Sequence, residues 1–299
     1  MALRFYDAHN HLQDDRFGDR QAELLAACAQ AGIARMVVNG ACEADWPQVL
    51  ALAQQFGKAG SPPPTDGAHG VARPTIVLPS FGYHPWYLQE RTADWLKNLA
   101  HFLDTTPSSI GEIGLDRWKP DLPYAGQEEA FIAQLRLATE RNSPVSIHCL
   151  QTWGRMLEIL KAEPRPACGF LLHSYGGPQE MVKPFADLGA YFSFPGFYAH
   201  ERKTRRRETF RHIPADRLLI ETDAPDQMLP SSQKPEARSQ KLFGDAHVFD
   251  LTDEQTGKAI NHPANLAAVY HFAAELRGEP LEKIAAQVEQ NFLRLFGEL

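Results

Sequence analysis

Short apolar runs recur along the chain, and amphipathic stretches separate them. The runs Arg4–Asp7, Ile33–Asn39, Thr75–Gly82, Ser109–Ile113, Val145–His148, Gly169–His173, Ala190–Phe194 and Leu218–Thr222 have the length and apolar content of buried strands. Glu128–Arg141 has the helical period, with Phe131, Leu135 and Ala138 on one face. Helices are likewise predicted over Gln21–Ala31, Ala44–Phe56, Ala93–Leu103, Thr152–Lys161, Pro178–Leu188 and Glu201–His212. Strands that alternate with helices predict an α/β protein with a parallel sheet. Eight of them predict a single closed (β/α)8 TIM barrel. An open doubly wound sheet is the alternative, but its GxGxxG turn is missing after the first run.

Two segments break the rhythm. Residues 60–74, which include SPPPTDG, read as a flexible Pro/Gly-rich insertion before the third strand. Residues 227–262 form a long polar insertion after strand 8, containing LPSSQKPEARSQK. In a barrel, that position places it as a long loop on the catalytic face. Pro263–Arg277 and Leu281–Phe296 read as additional C-terminal helices. No repeat or dividing linker is evident, so residues 1–299 are expected to form one barrel domain.

Composition narrows the function. Hydrophobic residues at 43% and charged residues at 22% describe an ordinary globular chain. Thirty basic against thirty-seven acidic residues, a net charge of −7, exclude a broad sequence-blind nucleic-acid coat protein. Local binding of a few nucleotides stays open. No apolar run approaches the roughly 18 residues of a membrane span. The start, MALRFYDAHNH, lacks a basic-then-apolar leader, and Cys28, Cys42, Cys149 and Cys168 form no CxxC pair. A cytoplasmic protein with reduced thiols is therefore expected.

The candidate chemistry lies in where metal-capable side chains fall. His9 and His11 stand just past the first predicted strand in DAHNH. Glu112 ends the fourth in IGEIGLD, His148 the fifth in VSIHC, His173 the sixth in LLHSY and Asp223 the eighth in LLIETDAP. The C-terminal ends of barrel strands form the face where barrel active sites are built. Imidazoles and carboxylates suit zinc and other borderline divalent ions. Side chains two apart on an extended segment share a face, so His9 and His11 point together. Taken singly, each of these residues is more often a satisfied polar group. Together they exceed one tetrahedral shell, and Glu112 is placed to bridge two ions about 3.5–4 Å apart. His69, His101, His200, His212, His247 and His271 lie in loops or helices and read as solvated or locally bonded.

The blocks DAHNH, GYHPW, IGEIGLD, PVSIHC, HSYGG and ETDAP resemble, in order, the signatures of the TatD family of metal-dependent hydrolases. NHPANL and QNFLRLFG resemble its closing motifs, so the resemblance runs from residue 5 to about residue 297. It implies a barrel with two divalent ions and a deoxyribonuclease or related phosphodiesterase using a metal-activated water. The ligand set accepts zinc, magnesium or manganese, and also iron or nickel. By this resemblance His9, His11, Glu112 and Asp223 hold one ion, and Glu112, His148 and His173 the other. Asp223 doubles as the base that orients the water. His84 lies near the substrate phosphate, and Asp7 and Asp116 support the ligands or cap turns.

The chain also departs from the family pattern. Leu150 stands where members often carry an arginine, whose guanidinium grips phosphate as leucine cannot. HSYGG, with Ser174, Tyr175 and Gly176, replaces the usual His-Cys-Phe-Ser-Gly. Arg117 and Lys119 in RWKP sit at the site mouth, either replacing the lost cation or selecting another substrate. Arg202 and Lys203 open a basic stretch continued by Arg205, Arg206 and Arg207, read as a phosphate-binding helix start or a solvated face. Trp86 and Trp118 suit stacking on a base, or packing. The expected substrate is single-stranded DNA or a small phosphodiester, with no membrane and no obligate protein partner. The alternative is hydrolysis of a carboxyl ester, lactone, amide or aminoacyl ester, which the lost arginine and acidic charge favour. A binding protein on a degenerate barrel is a third reading, opposed by the full ligand set.

Overall fold

The computed structural model describes residues 3–57, 75–230 and 243–297. Its apolar runs form eight strands: β1 (Phe5–Asn10), β2 (Ile33–Asn39), β3 (Ile76–Phe81), β4 (Ser109–Asp116), β5 (Val145–Leu150), β6 (Phe170–Leu172), β7 (Ala190–Pro195) and β8 (Leu218–Glu221). Neighbours in sequence are neighbours in the sheet, and every adjacent pair is parallel. All residues of β1, β4 and β7 are buried. Barrel strands read as continuous apolar runs because side chains fill the barrel on one face and meet helices on the other. The helices are α1 (Gln21–Gln30), α2 (Trp46–Phe56), α3 (Trp95–Thr105), α4 (Gln127–Arg141), α5 (Trp153–Ala162), α6 (Val182–Asp187) and α7 (Thr204–Arg211).

The ring closes between β1 and the end of β8. Asp223 N–H donates to His9 O at 3.0 Å, and His11 N–H donates to Ala224 O at 2.8 Å. Beneath these bonds the fully buried Asp7 carboxylate staples the seam. It accepts from Thr222 N at 3.0 Å, Thr222 Oγ1 at 2.6 Å, His9 N at 3.2 Å and Asn10 Nδ2 at 3.2 Å. Two further helices, α8 (Leu266–Arg277) and α9 (Leu281–Phe296), cover the outside of this seam. Tyr270 of α8 donates to Tyr6 O and accepts from Tyr6 N, both at 3.0 Å. Asn291 of α9 donates to Leu218 O at 2.8 Å. Ile284, Val288, Phe292 and Leu295 form the buried stripe of α9, at the spacing of one helical face.

Several boundaries differ from the sequence reading. β1 extends to Asn10, so His9 lies within the strand. β4 extends to Asp116, so Glu112 lies mid-strand, beside a register irregularity between Ile110 and Ile113. Glycines and carboxylates in GEIGLD hide that strand from a reading based on apolar runs. The segment before α7 is a 3-10 turn, Glu201–Lys203, so Arg202 and Lys203 precede the helix. Within 227–262 the described part is not all loop. It contains an antiparallel hairpin of β9 (Asp250–Thr252) and β10 (Ala259–Asn261). Asn261 N–H from this hairpin donates to Pro225 O at 2.8 Å. Residues 60–74 lie outside the described residues, as do 231–242. Among the described residues, no helix is long and apolar enough to cross a membrane.

The seam sets a stability prediction. Asp7→Ala leaves several buried donors without an acceptor, and each such orphan costs about 1–3 kcal/mol. Urea unfolding should show a loss of at least about 2 kcal/mol. A loss below about 0.5 kcal/mol would mean the staple does not hold the seam.

Candidate metal centre

β1 carries His9, and its continuation carries His11 on the same face. β4 carries Glu112, β5 carries His148, and His173 and Asp223 follow the last residues of β6 and β8. The parallel order delivers all six to the C-terminal rim. Gly114 permits the close approach of β4 to β5. A β-carbon there would lie 1.9 Å from His148 O, and its φ of +153° disfavours other residues.

Glu112 is the hub. Its Oε2 lies 3.3 Å from Nε2 of both His9 and His11. Its Oε1 lies 2.9 Å from His148 Nδ1, 2.8 Å from His173 Nε2 and 3.4 Å from His84 Nε2. One carboxylate thus faces two groups of rings, one with each oxygen. Asp223 joins the first group, its Oδ1 standing 3.6 Å from His9 Nε2 and 3.5 Å from His11 Nε2.

Most rings have their remote nitrogen fixed, which decides the nitrogen they present. His11 Nδ1 bonds to Asn39 O at 2.8 Å. His9 Nδ1 meets Ser146 Oγ at 2.7 Å. His148 is turned the other way, with Nε2 held by Asp116 Oδ2 at 2.8 Å and Nδ1 aimed at Glu112. His173 Nδ1 is buried without a hydrogen-bond partner, 3.8 Å from Glu221 Oε1. Remote partners of this kind orient imidazoles and raise their basicity toward a metal. The donor atoms of His9, Glu112 and His173, and those of His9, His11 and Asp223, converge within 4.8 Å. Nitrogen and oxygen donors with fixed remote partners fit divalent ions.

His84 also meets Glu112 and His148 in such a group. Its Nδ1, however, accepts from Trp86 N–H at 3.2 Å. The neutral ring then carries its proton on Nε2, which makes it a donor rather than a ligand. Burial lowers the His84 pKa to about 4, so the ring is neutral at physiological pH.

The charges support one another. Burial opposes ionisation of Glu112, but His173, His84 and His9 outweigh it and hold its carboxyl well below the usual range. Burial likewise opposes charge on the rings. Asp223 and Glu112 nonetheless raise His11 well above its ordinary value, and Glu112 with Glu221 does the same for His173. Asp116 and Glu112 raise His148. Asp116, opposed by burial, falls to about 2 through its bond to His148.

Two supporting residues separate here. Asp116 bonds to His148, while Asp7 touches no ligand side chain and serves the seam through the His9 and Thr222 backbone and the Thr222 and Asn10 side chains. Around the mouth, Arg117 N–H donates to Leu150 O at 3.0 Å, setting this arginine beside the position that lacks one. Its guanidinium covers the Tyr124 ring at 3.9 Å, and Lys119 Nζ covers Trp86 at 3.4 Å. Trp86 Nε1–H donates to Asp116 Oδ2 at 2.7 Å, so Trp86 is anchored to the centre. Trp118 N–H donates to Asp116 Oδ1 at 2.6 Å while the residue stays 57% exposed. Arg202 and Lys203 stand over Phe197 at 5.4 and 4.3 Å. Arg207 is spent on the carbonyls of Tyr198, Ala199 and His200, and Arg206 on Gly177 O. None of Arg117, Lys119, Arg202 and Lys203 has an ion pair among the described residues.

Sequence reading missed Ser146, Asn39 and Glu221. Ser146 and Asn39 bear no motif, and Asn39 acts through its carbonyl. Glu221 was visible beside Asp223 in ETDAP, and its full burial marks it as a partner of the site.

A family model described as TatD related DNase matches residues 67–297. The "Uncharacterized metal-dependent hydrolase YjjV" of Escherichia coli K12 is 28% identical, covering 99% of this chain and 99% of its own. The "3'-5' ssDNA/RNA exonuclease TatD" of Pantoea ananatis is 30% identical, covering 98% of this chain and 99% of its own. Among solved structures, that of the Escherichia coli YjjV protein superposes with a TM-score of 0.80 at 26% identity, over 99% of this chain and 98% of that one. A TatD-family hydrolase from Entamoeba histolytica has the same fold, with a TM-score of 0.80 at 18% identity over 99% of each chain.

A pH prediction follows from the raised histidines. Asp223 and Glu112 beside His11, and Glu112 with Glu221 beside His173, make both rings hold a proton to higher pH than an ordinary histidine does. A metal needs the lone pair, so loading should release about one to two protons per chain. Affinity should therefore fall as pH drops from 8 to 6. Calorimetric titration in buffers of differing ionisation enthalpy reads this directly. No proton release at pH 7 would contradict the ligand set.

Proposed function

We propose that this chain, which belongs to the family of TatD-related DNases and is a metal-dependent hydrolase, cleaves phosphodiesters of single-stranded nucleic acid with two divalent ions. The observation that carries this is the Glu112 carboxylate, which turns one oxygen to His9 and His11 and the other to His148 and His173. His9, His11 and Asp223 with Glu112 would hold one ion, and Glu112 with His148 and His173 the other. When bound, such ions polarise phosphoryl oxygens and make water a nucleophile near neutral pH. Zinc, magnesium and manganese all suit these donors.

The chain's own groups supply the rest. Asp223 accepts the proton of the attacking water as its oxygen bonds to phosphorus; the phosphorus–oxygen bond to the leaving nucleoside breaks, and that oxygen takes a proton from solvent. His84 Nε2–H donates to a phosphoryl oxygen. Arg117 and Lys119 balance the charge that the absent arginine at position 150 would have met, and Arg202 with Lys203 receives a neighbouring phosphate. The Trp118 indole stacks on a base. The naming of the Pantoea relative as an ssDNA/RNA exonuclease supports this substrate class.

The test uses a labelled single-stranded oligonucleotide beside carboxyl-ester and lactone substrates, with manganese, magnesium or zinc. Oligonucleotide cleavage is expected, and Asp223→Asn should lower its rate by at least about 100-fold. Arg117→Ala should weaken binding and reduce the salt slope by about 0.7. Turnover of the esters alone, with no cleavage of the oligonucleotide, would replace this reading with carboxyl-ester hydrolysis.

A further inference from the structure

Behind the rim, a polar chain joins the two ends of the centre. Asp223 Oδ1 faces the His9 and His11 rings, while Oδ2 accepts from Gln227 Nε2 at 2.6 Å. The same amide nitrogen donates to Ser174 Oγ, and Ser174 donates to Glu221 Oε1. Glu221 Oε2 accepts from Ser193 Oγ. Glu221 Oε1 lies 3.8 Å from the unpartnered His173 Nδ1. The path thus runs from Asp223 on the β8 side to His173 on the β6 side.

The backbone is shaped for this path. Asp223, Ser174 and Gln227 all hold left-handed φ values, +52°, +44° and +49°. Such positions are unfavourable for residues other than glycine unless surrounding contacts hold them. Here the Gln227 turn returns its amide to Asp223. The roles are also specific to the groups present. A carboxylate has two oxygens, and an N–H on one of them decides which is offered forward. A serine hydroxyl both accepts from Gln227 and donates to Glu221, and a methyl group does neither.

We propose that Gln227 is a positioning residue that locks Asp223 with Oδ1 toward the metal face. Through Ser174 and Glu221 it also ties the Asp223 end of the centre to the His173 end. This rests on the reading of the site as a two-ion hydrolase centre. Gln227 acts through the Asp223 carboxylate and the Ser174 hydroxyl that its amide nitrogen bonds. Changes in the partners of metal ligands typically alter metal affinity or activity about 10–100-fold.

The experiment titrates ion-free protein with manganese by calorimetry and measures kcat and KM on a single-stranded oligonucleotide. Gln227→Met keeps the length and removes the N–H. It should weaken one ion about tenfold or more and lower kcat similarly, with KM within about threefold. Melting temperature should stay within about 3 °C. Gln227→Glu places a like charge beside Asp223 and should be worse than Gln227→Met. Ser174→Ala should reproduce part of the loss, and the double variant should lose less than the product of the two. Gln227→Met with wild-type affinity for both ions overturns the proposal and leaves the metal centre standing, as does equal behaviour of Met and Glu. Wild-type protein that binds no ion overturns both.

Discussion

Five imidazoles stand around one buried carboxylate, and the structure depends on that arrangement. His9, His11, His84, His148 and His173 all lie within 3.4 Å of Glu112. Isolated charges in such a place are unfavourable, because burial removes the water that stabilises them. Glu112 balances the rings, and the outer partners Asn39, Ser146 and Asp116 hold three of them with a lone pair or proton aimed inward. A divalent ion replaces protons as the positive partner in a site of this kind. The exception is His84, whose ring is turned by Trp86 N–H into a donor.

The barrel makes this crowd of rings possible. Ligands far apart in sequence share one rim because parallel strands end at the same level. The decisive junction is between β1 and the end of β8, where backbone bonds interleave His9, His11, Asp223 and Ala224. Asp7 fixes the register of that junction from below, and α8 and α9 shield it from outside. A buried carboxylate used in this way belongs to the fold. Its neighbour two residues on belongs to the site.

Much of this was legible in the chain. The alternation of runs locates the eight barrel strands, since barrel strands are apolar on both faces, but not the short β9–β10 hairpin. The six ligand candidates stood out because metal-capable residues recur at strand ends. What stayed hidden has physical causes. Polar and glycine residues interrupt the apolar signal that marks a strand, so the sequence sets Glu112 and His9 at or past strand ends although the strands run on to Asp116 and Asn10. The sequence merges Arg202 and Lys203 with the following helix, because a short 3-10 turn has no distinctive period. Asn39 contributes a carbonyl, which no side-chain motif reveals. Gln227 acts through a turn whose left-handed backbone a sequence pattern does not encode.

The mouth sets cations beside an aliphatic position. Leu150 offers no cation, and Arg117 N–H donates to its carbonyl at 3.0 Å. Cations held over aromatic rings at the rim keep their charge available while their stems stay packed. All of this matters for function only if Glu112 is shared between two ions. The most direct test is the metal content of Glu112→Gln against wild type at equal free manganese, read by calorimetry and elemental analysis. The account predicts two ions per wild-type chain, and a variant in which both sites weaken together by at least about tenfold. A variant that loses one ion and holds the other at wild-type affinity would contradict it.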